Sequence, residues 1–278
     1  MAPMPMINRR DVLSLGLRAA MVATAGTAAA SLLDTPASAA PPAPTYTTGS
    51  FPSAARGGAV TNWAIARPPG RTEPLRPVIL LHGKDSSAAT VMSMGVEQFL
   101  ADAVRAGLPP FAMAAVDGGN GYWHRRASGD DAGAMVLDEF LPLLAAQGLD
   151  TSRVGFLGWS MGGYGALLLG SRLGAGRTAA ICAVSPALWT SPGAAAPGAF
   201  DGAEDYAAHS VWGPAGLDGI PLRIDCGYDD PFASATEQFI AQLPSPPAGG
   251  FSPGGHNAQF WSGQLTSEMT WMAPLLAA

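Results

Sequence analysis

The stretch Val154-Gly155-Phe156-Leu157-Gly158-Trp159-Ser160-Met161-Gly162-Gly163-Tyr164-Gly165 constrains this chain more than any other. An apolar run of strand length ends in Gly-x-Ser-x-Gly and passes straight into an Ala/Leu-rich segment that reads as helix. That order predicts a sharp strand-to-helix turn, a nucleophile elbow, with Ser160 at its apex. Ser160 Oγ then stands clear of the sheet, and the amide of Met161, at the start of the helix, points to where an oxyanion would form. Such a site suits acyl transfer.

The rest of the chain provides the setting an elbow needs. With 278 residues, 48% hydrophobic and 13% charged, there is length for one sizeable core and one catalytic domain. Residues 59–66 read as an early strand of an antiparallel pair. After them strand-like runs (78–81, 111–116, 154–157, 179–184, 222–225) alternate with helix-like ones (96–106, 132–146, the elbow helix, a helix from Pro231 and a last helix after Phe260). Alternation of this kind implies an α/β fold, a mostly parallel central sheet with helices on both faces. The Pro/Thr/Ser/Gly-rich residues 41–58 are expected to wrap the surface. The loose segment 186–219 is too long for an ordinary connection and reads as a small cap-like insertion. Cys182 and Cys226 fall in runs that read as neighbouring parallel strands, where disulfide geometry is poor, so buried thiols are expected.

The N-terminus contains Asn8-Arg9-Arg10-Asp11-Val12-Leu13, a weakly apolar Ala/Thr/Gly/Leu segment and Ala37-Ser38-Ala39-Ala40. Residues 1–40 therefore read as a twin-arginine signal peptide cut near Ala39 or Ala40, and 41–278 as the mature domain, secreted or held in the cell envelope. Arg18 interrupts the apolar segment, which argues against a bilayer anchor, and no second long apolar run follows. The formal charge is −6. Residues 1–40 hold three Arg against two Asp, so the remainder carries −7, and an acidic chain without a basic stripe argues against nucleic acid as partner.

An elbow serine needs a histidine to take its proton and a carboxylate to orient that histidine, in the chain order serine, acid, histidine. Of four histidines, His82, His124 and His209 come too early, which leaves His256 in a glycine-rich loop before the last helix. The acid lies among Asp225, Asp229 and Asp230. Asp225 belongs to the strand-like run and points away from the loop where His256 arrives. Pro231 can occupy the first position of a helix, which makes Asp230 its cap and favours Asp230 over Asp229. Leu80-Leu81-His82-Gly83-Lys84 ends the first central strand, so the N–H of Lys84 is expected to join that of Met161 in an oxyanion hole, with His82 bracing the loop. The loop from Asp117 to His124 leaves the next strand tip on the same edge, where ligands bind in such sheets. Asp117, Trp123 and Trp159 are the candidate substrate-binding residues. With Trp189 and Trp261 the tryptophans suggest an aromatic-walled cleft, although core packing explains each equally well. There is no zinc-like spacing, and no metal or cofactor is expected.

Together, Gly-Trp-Ser160-Met-Gly-Gly-Tyr-Gly-Ala, Asp138-Glu139-Phe140-Leu141-Pro142, Ile224-Asp225-Cys226-Gly227-Tyr228-Asp229-Asp230 and Gly-Gly-His256 followed by Phe260-Trp261 resemble the esterase D family of α/β-hydrolases. That family includes S-formylglutathione hydrolases, feruloyl esterases and secreted mycolyltransferases, and the resemblance covers roughly residues 60–275. It implies an α/β-hydrolase fold and cleavage of an ester or thioester through an acyl-enzyme, without metal or organic cofactor. It also places the acid at the second Asp of Gly-x-Asp-Asp, Asp230. A small-molecule or lipid ester is then the expected partner. Transfer of the acyl group to a sugar or cell-envelope acceptor is the alternative, and a non-catalytic carbohydrate- or matrix-binding role the second one. The chain lacks the longer insertions of a full mycolyltransferase, and an export signal weighs against an intracellular formylglutathione role.

Overall fold

The apolar runs assemble into one eight-stranded sheet in a computed structural model that describes residues 45–213 and 216–278. The expected twin-arginine signal and cleavage site fall at residues 1–40, outside the described residues. Strands β1 (Thr45–Ser53) and β2 (Ala59–Arg67) form an antiparallel pair, and β2 also runs antiparallel to β4 (Ala112–Val116). The strands β3 (Pro77–Leu81), β4, β5 (Val154–Trp159), β6 (Thr178–Val184), β7 (Leu222–Gly227) and β8 (Ala248–Ser252) pair in parallel, in the sheet order β1-β2-β4-β3-β5-β6-β7-β8. Strands β3, β4, β5 and β6 are buried along their whole length. Continuous apolar sequence is what a strand covered on both faces requires.

Two apolar layers flank the sheet, and alternate strand residues feed each. Ile79, Leu81 and Phe156 face the layer built with α3 (Ala132–Ala134), α4 (Leu141–Ala146), α5 (Met161–Leu173) and α7 (Ala233–Ala241). Val78, Leu80 and Leu157 face the layer built with α1 (Ala88–Met92), α2 (Val96–Arg105) and α8 (Ala258–Ala277). Among the described residues no helix is long and apolar enough to cross a membrane.

Several expectations need correction. Residues 45–53 are strand rather than surface wrapping: alternating Thr and Tyr suit an edge strand, and the edge tolerates Pro52. Strand β8 was hidden by its composition, Ala-Gly-Gly-Phe-Ser, which has little to pack. The helical run 132–146 is not uniform, since Met135–Phe140 forms a π-helical stretch between α3 and α4. Pro142 has no N–H to bond back into the preceding turn, which lets that turn widen. The wider turn carries Glu139, whose carboxylate accepts from Ser53 Oγ (2.5 Å) and from the Ala55 N–H (2.9 Å), tying the first hairpin to the domain.

The segment 186–219 contributes a 3₁₀ turn (Pro192–Ala194), helix α6 (Ala203–Ala208) and an aromatic cluster in which Trp189 and Phe200 pack on Tyr122. Cys182 and Cys226 sit on the neighbouring strands β6 and β7 as buried free thiols.

Candidate active site

Ser160 stands between β5 and α5 with φ 57° and ψ −117°, backbone angles that a residue with a side chain rarely adopts. Both glycines of the motif are there because the turn is crowded. A Cβ at Gly162 would overlap the carbonyl oxygen of Leu81, and one at Gly158 the carbonyl oxygen of Gly162. Backbone bonds fix the rest: Ser160 N–H donates to Val184 O (3.0 Å), and Ser160 O accepts from Tyr164 N–H and Ala187 N–H (3.0 Å each).

Strand β7 and strand β8 deliver the other two groups. After β7 the N–H groups of Tyr228 and Asp229 donate to Ser252 O and Gly254 O (2.9 Å each), clamping the loop that carries Asp230 to the loop that carries His256. Asn257 caps α8 by accepting from the Phe260 N–H (3.0 Å), which fixes the residue before it. As a result His256 Nε2 lies 2.8 Å from Ser160 Oγ, and His256 Nδ1 lies 2.9 Å from Asp230 Oδ2. The other oxygen of Asp230 accepts from the Phe232 N–H (2.8 Å). Helix α7 begins at Ala233, later than Pro231 suggested, so Asp230 holds the turn before the helix rather than capping its first residue.

Asp230 is buried whereas Asp229 is exposed. Burial alone would raise the Asp230 carboxyl. Hydrogen bonds from His256 and the Phe232 N–H help to outweigh it, and the group is held below its ordinary value, hence ionised. Asp225 pairs instead with Arg223 on its own strand (2.6 Å), as its place in the strand suggested.

The tip of β3 lies over the elbow. A Cβ at Gly83 would fall 3.4 Å from Trp159 O and 3.6 Å from Ser160 Cβ, which puts Gly83 close to the nucleophile. Met161 opens α5, so its N–H is one of the unpaired donors of a helix start. His82 is a brace: its Nδ1 faces Gly83 O (2.7 Å) and its Nε2 accepts from the Gly118 N–H (2.9 Å). Burial pushes its pKa down, consistent with a neutral ring carrying its proton on Nδ1. Asp85 and Asn120 tie the same two loops, with Asp85 N–H donating to Asn120 Oδ1 (2.8 Å) and the Asn120 amide donating to Asp85 Oδ1 (2.7 Å).

The candidate substrate residues fare differently. Trp123 and Trp159 are core side chains, 0% and 1% exposed, on opposite faces of the sheet. The Asp117 carboxylate is taken up by the Ala88 N–H (2.7 Å) and the Asn62 amide (2.9 Å), and it borders a cavity of about 460 Å³ beside β1 and α1 that Ser160 does not line. Of the four tryptophans expected in an aromatic wall, Trp261 and Trp189 lie on the His256 side, and Phe232 joins them. Phe232 and Trp261 flank the His256 ring at 5.2 and 5.1 Å, and Trp189 packs edge-on against Phe232 at 5.6 Å. Phe232 was missed, although Asp-Pro-Phe places it two residues beyond the acid.

Among the described residues two groups bring metal-ligating side chains together, neither of them at the triad. In one, Asp205 Oδ1 already faces His209 Nδ1 (2.7 Å) and, farther off, His124 Nδ1 (3.6 Å). In the other, Asp225 beside Cys182 and Glu268 is held by Arg223.

No family model and no curated protein matches the chain. Solved structures do. A ferulic acid esterase superposes with a TM-score of 0.71 at 19% identity, over 84% of this chain and 99% of that one. An S-formylglutathione hydrolase from Agrobacterium tumefaciens gives 0.67 at 21% identity, over 84% and 96%. A fluorophosphonate-binding serine hydrolase from Staphylococcus aureus gives 0.64 at 18% identity, over 83% and 99%. The fold is thus that of the α/β-hydrolases, and the first two of these neighbours are of kinds that the sequence resemblance named.

Proposed function

We propose that the chain is a serine carboxylic ester hydrolase working through an acyl-enzyme. One observation carries this reading: the unbroken chain of hydrogen bonds from Ser160 Oγ through the His256 ring to a buried, ionised Asp230. Ser160 Oγ attacks the ester carbonyl while its proton passes to His256 Nε2, and the imidazolium so formed is stabilised by Asp230 across Nδ1. The oxyanion falls between the N–H groups of Met161 and Lys84. His256 gives the proton to the leaving alcohol. Water, activated by the same ring, then releases the acid.

Ester-cleaving neighbours and the aromatic flank of His256 support an ester or thioester over an amide. Transfer to a sugar acceptor uses the same acyl-enzyme and differs only in what meets it. The decisive experiment treats the protein with a fluorophosphonate probe and assays Ser160→Ala on chromogenic esters. Labelling at Ser160, with turnover in the variant lower by several orders of magnitude, is expected. Labelling elsewhere or retained turnover would refute the reading.

Export by the twin-arginine route belongs to the same proposal and rests on Arg9-Arg10 and the segment after them. Because a receptor reads the arginine pair rather than its charge, changing both to lysine should leave the enzyme inside the cell. Undiminished export of that variant would show that another route is used.

A further inference from the structure

A second cluster of titratable side chains lies where the cap-like segment meets the loop after β4. His124 comes from that loop and is completely buried. Asp205 sits in α6, and His209 is the residue at its C-terminal end. One donor atom of each lies within 4.8 Å of the other two. Asp205 Oδ1 is 2.7 Å from His209 Nδ1 and 3.6 Å from His124 Nδ1, and the two rings stack at 4.2 Å. The hydrogen bonds around His124 do not close. Its Nδ1 lies 3.0 Å from Arg125 O and its Nε2 3.1 Å from Ala199 O, and both partners are acceptors. A neutral ring has one N–H, so one nitrogen must aim a lone pair at oxygen. A completely buried ring is a poor place for a second proton.

We propose that His124 Nδ1, His209 Nδ1 and Asp205 Oδ1 form a site for a divalent transition metal of the zinc class. With its proton on Nε2, donated to Ala199 O, His124 turns the Nδ1 lone pair towards Asp205, and a carbonyl holding the far nitrogen is the usual support of a metal-ligating histidine. Asp205 is supported as well. Its Oδ2 accepts from the Asp201 N–H (2.8 Å), which leaves Oδ1 for the cluster. The Arg126 guanidinium, which would repel a cation, is occupied by both oxygens of Asp201 (3.1 and 2.7 Å). Two imidazoles and one carboxylate suit zinc and disfavour calcium or magnesium, which take oxygen ligands. Donors about 2.0–2.2 Å from a tetrahedral ion stand about 3.3 Å apart. The 3.6 Å separation is close to that. The 2.7 Å separation is a hydrogen bond, so the metal takes the place of its proton, which moves to His209 Nε2. Asp205 and His209 are 16% and 14% exposed, which leaves an approach from solvent and room for water as the fourth ligand. A bound ion would fasten α6 to the loop after β4. Through the Tyr206 hydroxyl α6 also holds Trp189 O (2.5 Å), and the His209 carbonyl accepts from Tyr164 Oη on the elbow helix (2.6 Å).

The proposal stands apart from the serine-hydrolase reading, and so does its test. The full chain is stripped with a chelator, then titrated with Co²⁺, whose visible absorption reports a tetrahedral site, and with Zn²⁺ in thermal melts. The wild type should take up one Co²⁺. With Zn²⁺ a hundredfold above Kd its melting temperature should rise by roughly 5–10 °C. His209→Gln, Asp205→Asn and His124→Gln should each lose the cobalt absorption and most of the shift. Where the buried His124→Gln does not fold, the other two, at partly exposed positions, decide. No cobalt absorption in the wild type, the result that a buried imidazolium paired with Asp205 predicts, overturns the proposal. Absorption and a shift of wild-type size in His209→Gln overturn it too, since they mark an adventitious ion only. Fluorophosphonate labelling of Ser160 tests the functional reading separately, and its failure leaves the metal site standing.

Discussion

Asp230 Oδ2 sits 2.9 Å from His256 Nδ1, while Asp229, one residue earlier, contributes only its backbone N–H to the same loop. Two adjacent carboxylates thus have separate fates, because the turn after β7 buries one and leaves the other in solvent. Asp230→Asn should lower kcat by about 10³–10⁴, since an amide favours the imidazole tautomer with the proton on the wrong nitrogen. Asp229→Asn should change it little. Steady-state kinetics of both variants, at matched thermal stability, test this; the reverse pattern would make Asp229 the acid.

Trp123 and Trp189 should separate stability from substrate handling. Trp123 is completely buried, edge-on to the His82 ring at 5.0 Å, so Trp123→Ala should cost roughly 3–5 kcal/mol of stability. Trp189 is only partly buried and reaches the His256 flank through Phe232. Trp189→Ala should raise KM for bulky esters several-fold with little change in melting temperature. Denaturant melts and KM values across an ester series check both. A Trp123 variant of unchanged stability, or a Trp189 variant with unchanged KM, would contradict the assignment.

What was legible in the sequence follows from how each feature is encoded. The elbow was legible because strand, turn and helix signals meet at Ser160 within a dozen residues. Asp230 was legible only as the cap of a helix opening at Pro231, but that helix opens at Ala233, and what sets Asp230 apart is the turn after β7 that buries it. Residues 122 and 123 were not legible. Tyr122 and Trp123 have φ of 55° and 60°, so the loop turns inward and carries the indole into the core. Nothing in the residue types announces that, since aromatic residues disfavour these angles. The same holds for β8, where pairing with β7 rather than composition makes the strand. Its consequence is functional, because β8 ends just before the loop that presents His256.

Glu268 lies on the face of α8 that packs against the sheet. It is completely buried, and neither carboxylate oxygen has a hydrogen-bond partner among the described residues. Burial, and next the negative charge of Asp225, push its pKa well above the ordinary value, and Arg223 offsets this only in part because it is engaged with Asp225. Cys182, the third group beside it, is buried with its own pKa raised, so the thiol adds no charge. Glu268 is therefore neutral in the folded protein at pH values where the unfolded chain ionises it. The unfolded chain then binds fewer protons than the native one, and stability declines as pH rises. The contribution is fully present below the unfolded value of about 4.3 and is lost as pH climbs through the folded one. Methionine has similar length and carries no charge. Glu268→Met should stabilise the protein by roughly 1–3 kcal/mol at pH 8, and by distinctly less at pH 5. Thermal melts of the wild type and the variant at the two pH values measure the difference. An equal gain at both would mean that Glu268 does not titrate between them, and a loss at pH 8 would mean that the carboxylate is ionised and paired.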